Sequence, residues 1–558
     1  MLKKNLEFFN NERLKKVLEG LTIEESRWDI SYCMTPTNDY LLMKNDVPID
    51  DINDPRGAIR EMLNSTIKQQ MDTNDKIVAF GIGMCYLLDE VYNTYPSKIY
   101  LYEPDTKLLH FVLSNVDISE HLSSGRIYIT DDMDELIKKL ADEYLTKDKV
   151  EIVYLKNYAI VHSQELLELT QKVYDTCKSK MVDINTITYF SKTWIHNTLK
   201  NISYINESDK YKVSDLEGKF EGQTAMIIAA GPSLLENIEK IKANREKFVV
   251  FAVNKVLRTL ISNNIIPDFV VCLDAQTMER SLTGLEEYFP RMSCISELRT
   301  DSSCYTKDFK KLFVSFSEND FVVKKIKEYN PWIKTYECGG SATTLAFVCA
   351  VKMGFEKIVF AGLDLAFKDN IMYASGDSFE RISVDKIRID YTDKTISKVK
   401  SVTGEDVYTR DDYAAFVTHF ATLIKDLGYT EIYNTTSFGA AIEGMKNVPF
   451  ENISMLSTSN TTSFIVGEAK PFKLETKTWT QDELLLINNV IEMLSKDEFS
   501  PALVSAIVKS PIMYQYMQAD VLKVLQSKMS DGYAEEFMQN TKAAVKDIID
   551  SLQKNKLI

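Results

Sequence analysis

Along this chain, apolar runs of strand length alternate with stretches whose apolar positions recur at helical spacing, and the mix changes from region to region. Residues 1–70 are charged and helix-like, with short strand candidates over 28–32 and 40–43. The first strong signal follows, where Ile77-Val78-Ala79-Phe80 ends in Gly81-Ile82-Gly83 and an amphipathic helix leads to a second strand over 98–102. That strand ends at Glu103, an acid 22 positions past Gly81, so the segment reads as a βαβ unit with a glycine-rich first turn. Dinucleotide and adenosyl-cofactor folds use such a turn. Here the third glycine is missing and the helix opens on Met84, Cys85 and Tyr86, which favours a structural Rossmann-like domain without bound cofactor.

The pattern over 135–215 is mostly helical (135–146, then 163–199) and reads as a bridge, with 210–223 as a charged linker. Over 222–450, strand candidates at 224–229, 248–253, 269–273, 311–315 and 357–361 alternate with amphipathic helices that include 233–243 and 341–353. This predicts a doubly wound sheet with ligands gathered outside the carboxyl ends of its strands. After about 465 the chain reads as helices over 483–494, 501–508, 512–528 and 535–553, a C-terminal bundle. The expected fold class is therefore α/β and multidomain. The domains are a Rossmann-like N-terminal domain with helical bridge (1–205), a central doubly wound domain (206–455) and a helical domain (456–558).

Composition narrows the function classes. The 558 residues carry a net charge of −15 with no Lys/Arg-rich block, against a nucleic-acid partner, whose phosphates call for a concentrated basic footprint. No apolar stretch reaches the roughly 18 residues of a membrane span. None of the eight cysteines forms a CxxC pair, and the N-terminus lacks a secretory apolar segment, so the expected location is the cytoplasm.

Candidate chemistry sits at the strand ends. Ala230-Gly231-Pro232-Ser233 turns a strand into a helix, and Ser233 is a plausible N-cap; the free N–H groups of such a turn suit a phosphate, although an ordinary strand–turn–helix corner looks the same. The next two strands end in Asn254 and Asp274, polar groups on the same edge. Gly339-Gly340-Ser341-Ala342-Thr343 opens an apolar helix and forms a second anion or ribose cradle. Gly362-Leu363-Asp364 ends a buried strand, and Asp364 reads as a base, a hydroxyl anchor or a capped structural carboxylate. The five histidines show no metal-ligand spacing, His419 reads as a surface or packing residue inside a helix over 413–427, and there is no HExxH, GxSxG or Walker-type loop. No metal site is expected.

In order and spacing, AAGPSLLENIEKIK, NKVLRTLISNNIIPDFVVCLDAQ and GGSATTLAFVCAVKMGFEKIVFAGLDLAF resemble the motility accessory factor family of flagellin glycosyltransferases, as does the N-terminal FGIGMCYLLDE. The central part is similar to bacterial sialyltransferases that use cytidine monophosphate (CMP)-activated sugars. The resemblance implies transfer of a nonulosonic acid, of pseudaminic or legionaminic type, from a CMP donor to Ser or Thr of flagellin, without a further cofactor. It implies donor binding at Gly231, Pro232, Ser233, Asn254, Gly340, Ser341, Thr343 and Gly362, to which the strand-end reading adds Asp274, and it matches Tyr373 to a tyrosine near the donor phosphate. Two departures matter: Ala230 stands where those enzymes have Asn, and the stretch 403–413 lacks the His they use as base. Asp364, then Asp412 and Tyr373, are the candidates for that role. Self-association stays open.

Two other readings fit some of the motifs. A 6-hydroxymethylpterin pyrophosphokinase shares the Gly-Pro-Ser and Gly-x-Asp pattern and would hold Mg²⁺ between Asp274 and Asp364. A flagellin-binding chaperone or scaffold on a degenerate transferase fold would explain the missing His.

Overall fold

The computed structural model describes the chain except for residues 28–29, 45, 145–147, 277, 338, 369–395, 454–461, 497–498 and 527–530. It is a mixed α/β protein that divides into two compact units, Met1–Ile184 and Asn185–Ile558.

The first unit opens with a small antiparallel sheet, β1 (Ile30–Met34), β2 (Tyr40–Lys44) and β3 (Val47–Pro48). Its main sheet is parallel: β4 (Lys76–Phe80), β5 (Lys98–Tyr102), β6 (Ile127–Thr130) and β7 (Val150–Tyr154), in the order β6-β5-β4-β7. The helices α1 (Pro55–Thr66), α2 (Tyr86–Thr94), α3 (Thr106–Asn115) and α4 (Met133–Glu143) accompany it. Three of them start on an aspartate whose carboxylate accepts first-turn N–H groups: Asp54 from Gly57, Asp105 from Lys107 and Leu108, and Asp132 from Glu135.

The strand order reverses between β4 and β7, the position where open α/β sheets usually bind a nucleotide. Here the chain fills that position itself. A Cβ on Gly81 would lie 2.6 Å from the Tyr158 ring, and one on Gly83 would lie 2.8 Å from both Asp50 and Leu155. The Ile82 N–H, which would face a phosphate, donates to Glu103 at 2.9 Å, and the Tyr158 hydroxyl donates to the same carboxylate. Burial pushes the proton affinity of both Asp50 and Glu103 up to about 7. The glycine-rich turn is thus a self-filled corner.

Helix α5 (Ser163–Glu207) begins in the first unit and ends in the second. The second unit is built on a ten-stranded sheet. Its members are β8 (Tyr211–Lys212), β9 (Thr224–Ile228), β10 (Val249–Val253), β11 (Phe269–Cys272), β12 (Ser293–Glu297), β13 (Leu312–Ser317), β14 (Thr335–Tyr336) and β15 (Lys357–Ala361). After β15 comes an antiparallel hairpin, β16 (Ile396–Lys400) and β17 (Asp406–Arg410), and then β18 (Ile432–Asn434) and β19 (Lys446–Asn447) complete the sheet. The order is β14-β13-β12-β11-β10-β9-β15-β18-β19, with β8 beside β13 and every pairing parallel. The five strands predicted for this region are present. The predicted pattern lacked β12, whose Ser-Cys-Ile-Ser-Glu is too polar to read as a buried run although all five residues are buried.

Alternation along β9 shows how the layers form. Ala225 and Ile227 join the core made by α7 (Ala342–Met353), whereas Met226 and Ile228 join the one made by α6 (Leu234–Ala243). Helix α8 (Asp411–Leu427) adds Phe420 to the α7 side. The C-terminal helices, chiefly α9 (Lys477–Leu494), α10 (Pro501–Lys509) and α11 (Asp531–Lys554), share one core with the end of α5 and with Val270, Cys294 and Val314 of β11–β13. Ser500 caps α10 by accepting from Leu503 N, with Pro501 in the first turn, where its missing N–H costs nothing.

Candidate functional site

In the second unit the strand order reverses between β9 and β15. Two glycines meet there. Gly231 N donates to Gly362 O at 2.8 Å, and a Cβ on Gly231 would lie 2.5 Å from both that oxygen and Asp364. Gly362, at φ +70°, leaves Ala229 O only 2.5 Å from where its own Cβ would be. No larger residue fits either strand end without displacing backbone.

This contact changes the reading of the Gly231-Pro232-Ser233 turn. Ser233 N donates to one oxygen of Asp364 at 2.8 Å, its hydroxyl donates to the other, and both residues are fully buried. Pro232 has no N–H, and Gly231 has spent its own on Gly362. The N–H groups expected to face a ligand therefore face the chain, and Asp364 occupies the anion position at the start of α6. Burial raises the proton affinity of Asp364, against hydrogen bonds from Ser233 and Thr436 that lower it.

Around this clasp lies a cavity of about 460 Å³. Of the residues singled out in the sequence, it is lined by Gly231, Asn254, Asp274, Gly340, Ser341, Thr343, Gly362, Asp364 and Asp412; Pro232 and Ser233 are not among the lining residues. Tyr373 lies outside the described residues. Asn254 follows β10 and donates to Ser281 at 3.2 Å, and Asp274 follows β11 and accepts from Gln276 N at 3.0 Å. The sheet thus brings the ends of β9, β10, β11 and β15 to one cavity.

The start of α7 also borders the cavity, through Gly340, Ser341 and Thr343. The first N–H groups of a helix have no acceptor within it. Ser341 caps α7 by accepting from Thr343 N at 3.2 Å, after Gly339 and Gly340 at φ +53° and +76°. Gly339 is tightly constrained: a Cβ there would fall 1.8 Å from Nε2 of His419 on α8. His419, read from sequence as a packing or surface residue, packs directly against this turn.

Two arginines that the sequence pattern did not single out also line the cavity. Arg410, at the start of α8, donates through Nε to Asp412 at 2.8 Å and through a second nitrogen to the other carboxylate oxygen, with its guanidinium 5.1 Å from the Tyr413 ring centre. Arg299, just after β12, donates to Glu297 at 2.6 Å and lies 4.7 Å from the Trp194 ring centre. The backbone on either side of Arg299 is held by Asn201 of α5, whose amide donates to Leu298 O and Thr300 O at 2.9 and 2.7 Å. The clue available in the sequence is the spacing Trp194, Asn197 and Asn201, which puts all three on one helical face.

Among the described residues no cluster of three or more His, Cys, Asp or Glu side chains is arranged to hold a metal ion. Nor is any helix there long and apolar enough to cross a membrane.

Residues 196–370 match the family model described as 6-hydroxymethylpterin diphosphokinase MptE-like. An uncharacterized protein of Treponema pallidum (strain Nichols) is 29% identical over 113 residues, which is 20% of this chain and 50% of that protein, so the match spans only half of the relative's length. The structure of MAf glycosyltransferase from Magnetospirillum magneticum AMB-1 superposes with a TM-score of 0.66 at 15% identity, covering 100% of this chain and 97% of the other. The likeness read from the sequence motifs is thus matched in three dimensions: from end to end, this chain has the fold of the MAf glycosyltransferase.

Proposed function

We propose that the protein is a glycosyltransferase that moves a nonulosonic acid, of pseudaminic or legionaminic type, from a CMP donor to a Ser or Thr hydroxyl of flagellin. The observation that carries this reading is the cavity at the β9/β15 reversal, which collects nine of the twelve residues singled out in the sequence, in a chain with a glycosyltransferase fold. In this reading the 340–343 turn holds the donor phosphate, and Asn254 and Asp274 contact the nucleoside. The acceptor oxygen attacks the anomeric carbon, the bond from that carbon to the phosphate oxygen breaks, and CMP leaves with the electron pair. N–H groups at the start of α7 stabilise the charge that develops on it. The hydroxyl proton passes to a carboxylate. Asp364, at the cavity wall, is the first candidate because burial raises its proton affinity; both of its oxygens also accept from Ser233, so it would have to exchange one of those bonds for the acceptor hydroxyl, and Asp412 is likewise paired, with Arg410. We place the reaction in the cytoplasm.

Calorimetric titration with CMP, with and without Mg²⁺, tests the reading. Metal-independent binding that weakens on Asn254→Ala supports it; failure to bind CMP under either condition removes it.

The match of residues 196–370 to the pterin diphosphokinase model favours a second reading, in which Asp274 and Asp364 would hold Mg²⁺; the arrangement fits this poorly, since both Asp364 oxygens accept from Ser233. It requires ATP to bind only with Mg²⁺ and AMP to be released in the presence of 6-hydroxymethylpterin.

A further inference from the structure

We propose that Phe190 and Trp194 form the wall against which the pyrimidine base of the donor packs, an inference that rests on the CMP-donor reading above. A CMP-linked sugar has four parts. The phosphate and the acidic sugar are charged, and the ribose is rich in hydroxyls. The base alone is flat and uncharged, and it is the part that an aromatic wall suits.

Aromatic side chains reach the cavity from two helices, Phe190 and Trp194 from α5 and Tyr413 and Phe416 from α8. Their places along the sheet edge separate them. The backbone that leads into α8 is tied to the reacting end, since the Thr409 hydroxyl donates at 2.7 Å to the backbone oxygen of Leu365, next to Asp364. Helix α5 lies elsewhere. Its Asn197 amide donates to Ala275 O at 2.9 Å and to Arg299 O at 3.0 Å, which sets the helix over the ends of β11 and β12. Those strands are two and three places from β9 in the sheet order, about 10 and 14 Å along the edge. In a CMP-sugar, eight bonds separate the carbon under attack from the base, roughly 10 Å when extended. A donor whose reacting carbon lies at Asp364 therefore brings its base to α5.

The wall is also held in advance. Trp194 stands one turn before Asn197 and Phe190 one turn before Trp194, so the two rings share a helical face. They are nearly parallel, at 18°, with centres 5.8 Å apart, and the Arg299 guanidinium lies 4.7 Å from the Trp194 ring centre. Glu297 meets the charge of Arg299 at 2.6 Å. Both rings are half-buried and both line the cavity, so part of each remains open to a ligand. Rings fixed by their neighbours lose little freedom when a base settles on them.

The test is calorimetric titration of the full chain with CMP, for wild type, Trp194→Ala, Trp194→Phe and Phe190→Ala, each checked by thermal melting. With it goes irradiation of the wild type bound to 5-iodo-CMP, a probe that couples through its base, with loss of iodide, to an aromatic side chain in contact. Trp194→Ala is expected to weaken CMP about five- to hundredfold, the size of one base–aromatic contact. Trp194→Phe keeps a flat ring and is expected to stay within about threefold of wild type. Phe190→Ala carries the titration if Trp194→Ala does not fold. Peptide mass spectrometry is expected to find the coupled base on Phe190 or Trp194. Unchanged CMP affinity in the alanine variants overturns the assignment, and so does the absence of coupling to α5, whether the base joins Tyr413 or Phe416 or nothing. Either result leaves the donor reading standing, whereas wild type that binds no CMP overturns the donor reading itself.

Discussion

Ser233 and Asp364, 131 positions apart in the chain, are joined by two hydrogen bonds that close the reversal between β9 and β15. The pair makes the start of α6 an internal contact, and it sets the position of both glycine strand ends that border the cavity.

Replacing Asp364 by Ala strands the N–H and hydroxyl of Ser233 in a buried place, which is expected to lower stability by roughly 1–3 kcal/mol. Ser233→Ala removes only the hydroxyl donor and should cost less, about 1 kcal/mol. Urea denaturation of the two variants checks the order. If Asp364 is also the proton acceptor, Asp364→Asn lowers the transfer rate by about two to four orders of magnitude while Ser233→Ala retains most of it.

Gly339→Ala places a methyl group on the His419 ring and keeps a non-glycine residue at positive φ. The expected loss is about 1–3 kcal/mol. His419→Ala should restore the part due to the clash and leave the part due to the backbone angle. A double-mutant cycle in urea measures that coupling, and additive losses would contradict the contact.

The first unit should loosen as the pH rises through neutrality. Asp50 and Glu103 bind protons more tightly when folded, at about 7, than their ordinary values of 3.8 and 4.5. Their contribution to stability is therefore fully present below about pH 4 and is lost as the pH climbs through 7, by at most about 1.4 kcal/mol per pH unit for each group. Amide exchange in β4 and β5, corrected for its intrinsic pH dependence, should show weaker protection at pH 8 than at pH 6. Asp50→Asn together with Glu103→Gln should flatten that difference.

Asn201→Ala leaves two backbone oxygens beside Arg299 without their donor. A loss of roughly 1–3 kcal/mol in urea is expected, and with it a looser Arg299. Unchanged stability would mean that water replaces the amide at this position.

Much of the architecture was legible because burial imposes short-range patterns. β4, β9, β10, β11 and β15 are buried on both faces and read as continuous apolar runs, and the Asp, Ser, Pro and Gly residues at their ends mark turns and caps in the sequence itself. β12 escaped because its two serines and Glu297 break the apolar run, and the partners of Ser296 and Glu297 lie in the loop that follows the strand. The Ser296 hydroxyl, for example, contacts the Cys304 thiol at 3.2 Å.

For the site, local sequence was enough to say which residues end the strands, since a glycine, an asparagine or an aspartate after an apolar run needs no distant partner. It could not determine what those groups face. Gly231-Pro232-Ser233 reads as an outward turn and Gly81-Ile82-Gly83 as a structural one, yet in both an N–H group meets a carboxylate of the chain, Asp364 in the first and Glu103 in the second. Those partners emerge on folding, as do the pairing of Arg410 with Asp412 at the cavity and the packing of His419 on Gly339. The reason is physical: apolar periodicity is written within one element, where a few residues share a face, whereas a hydrogen-bond partner is chosen by the strand order that brings distant elements to one edge.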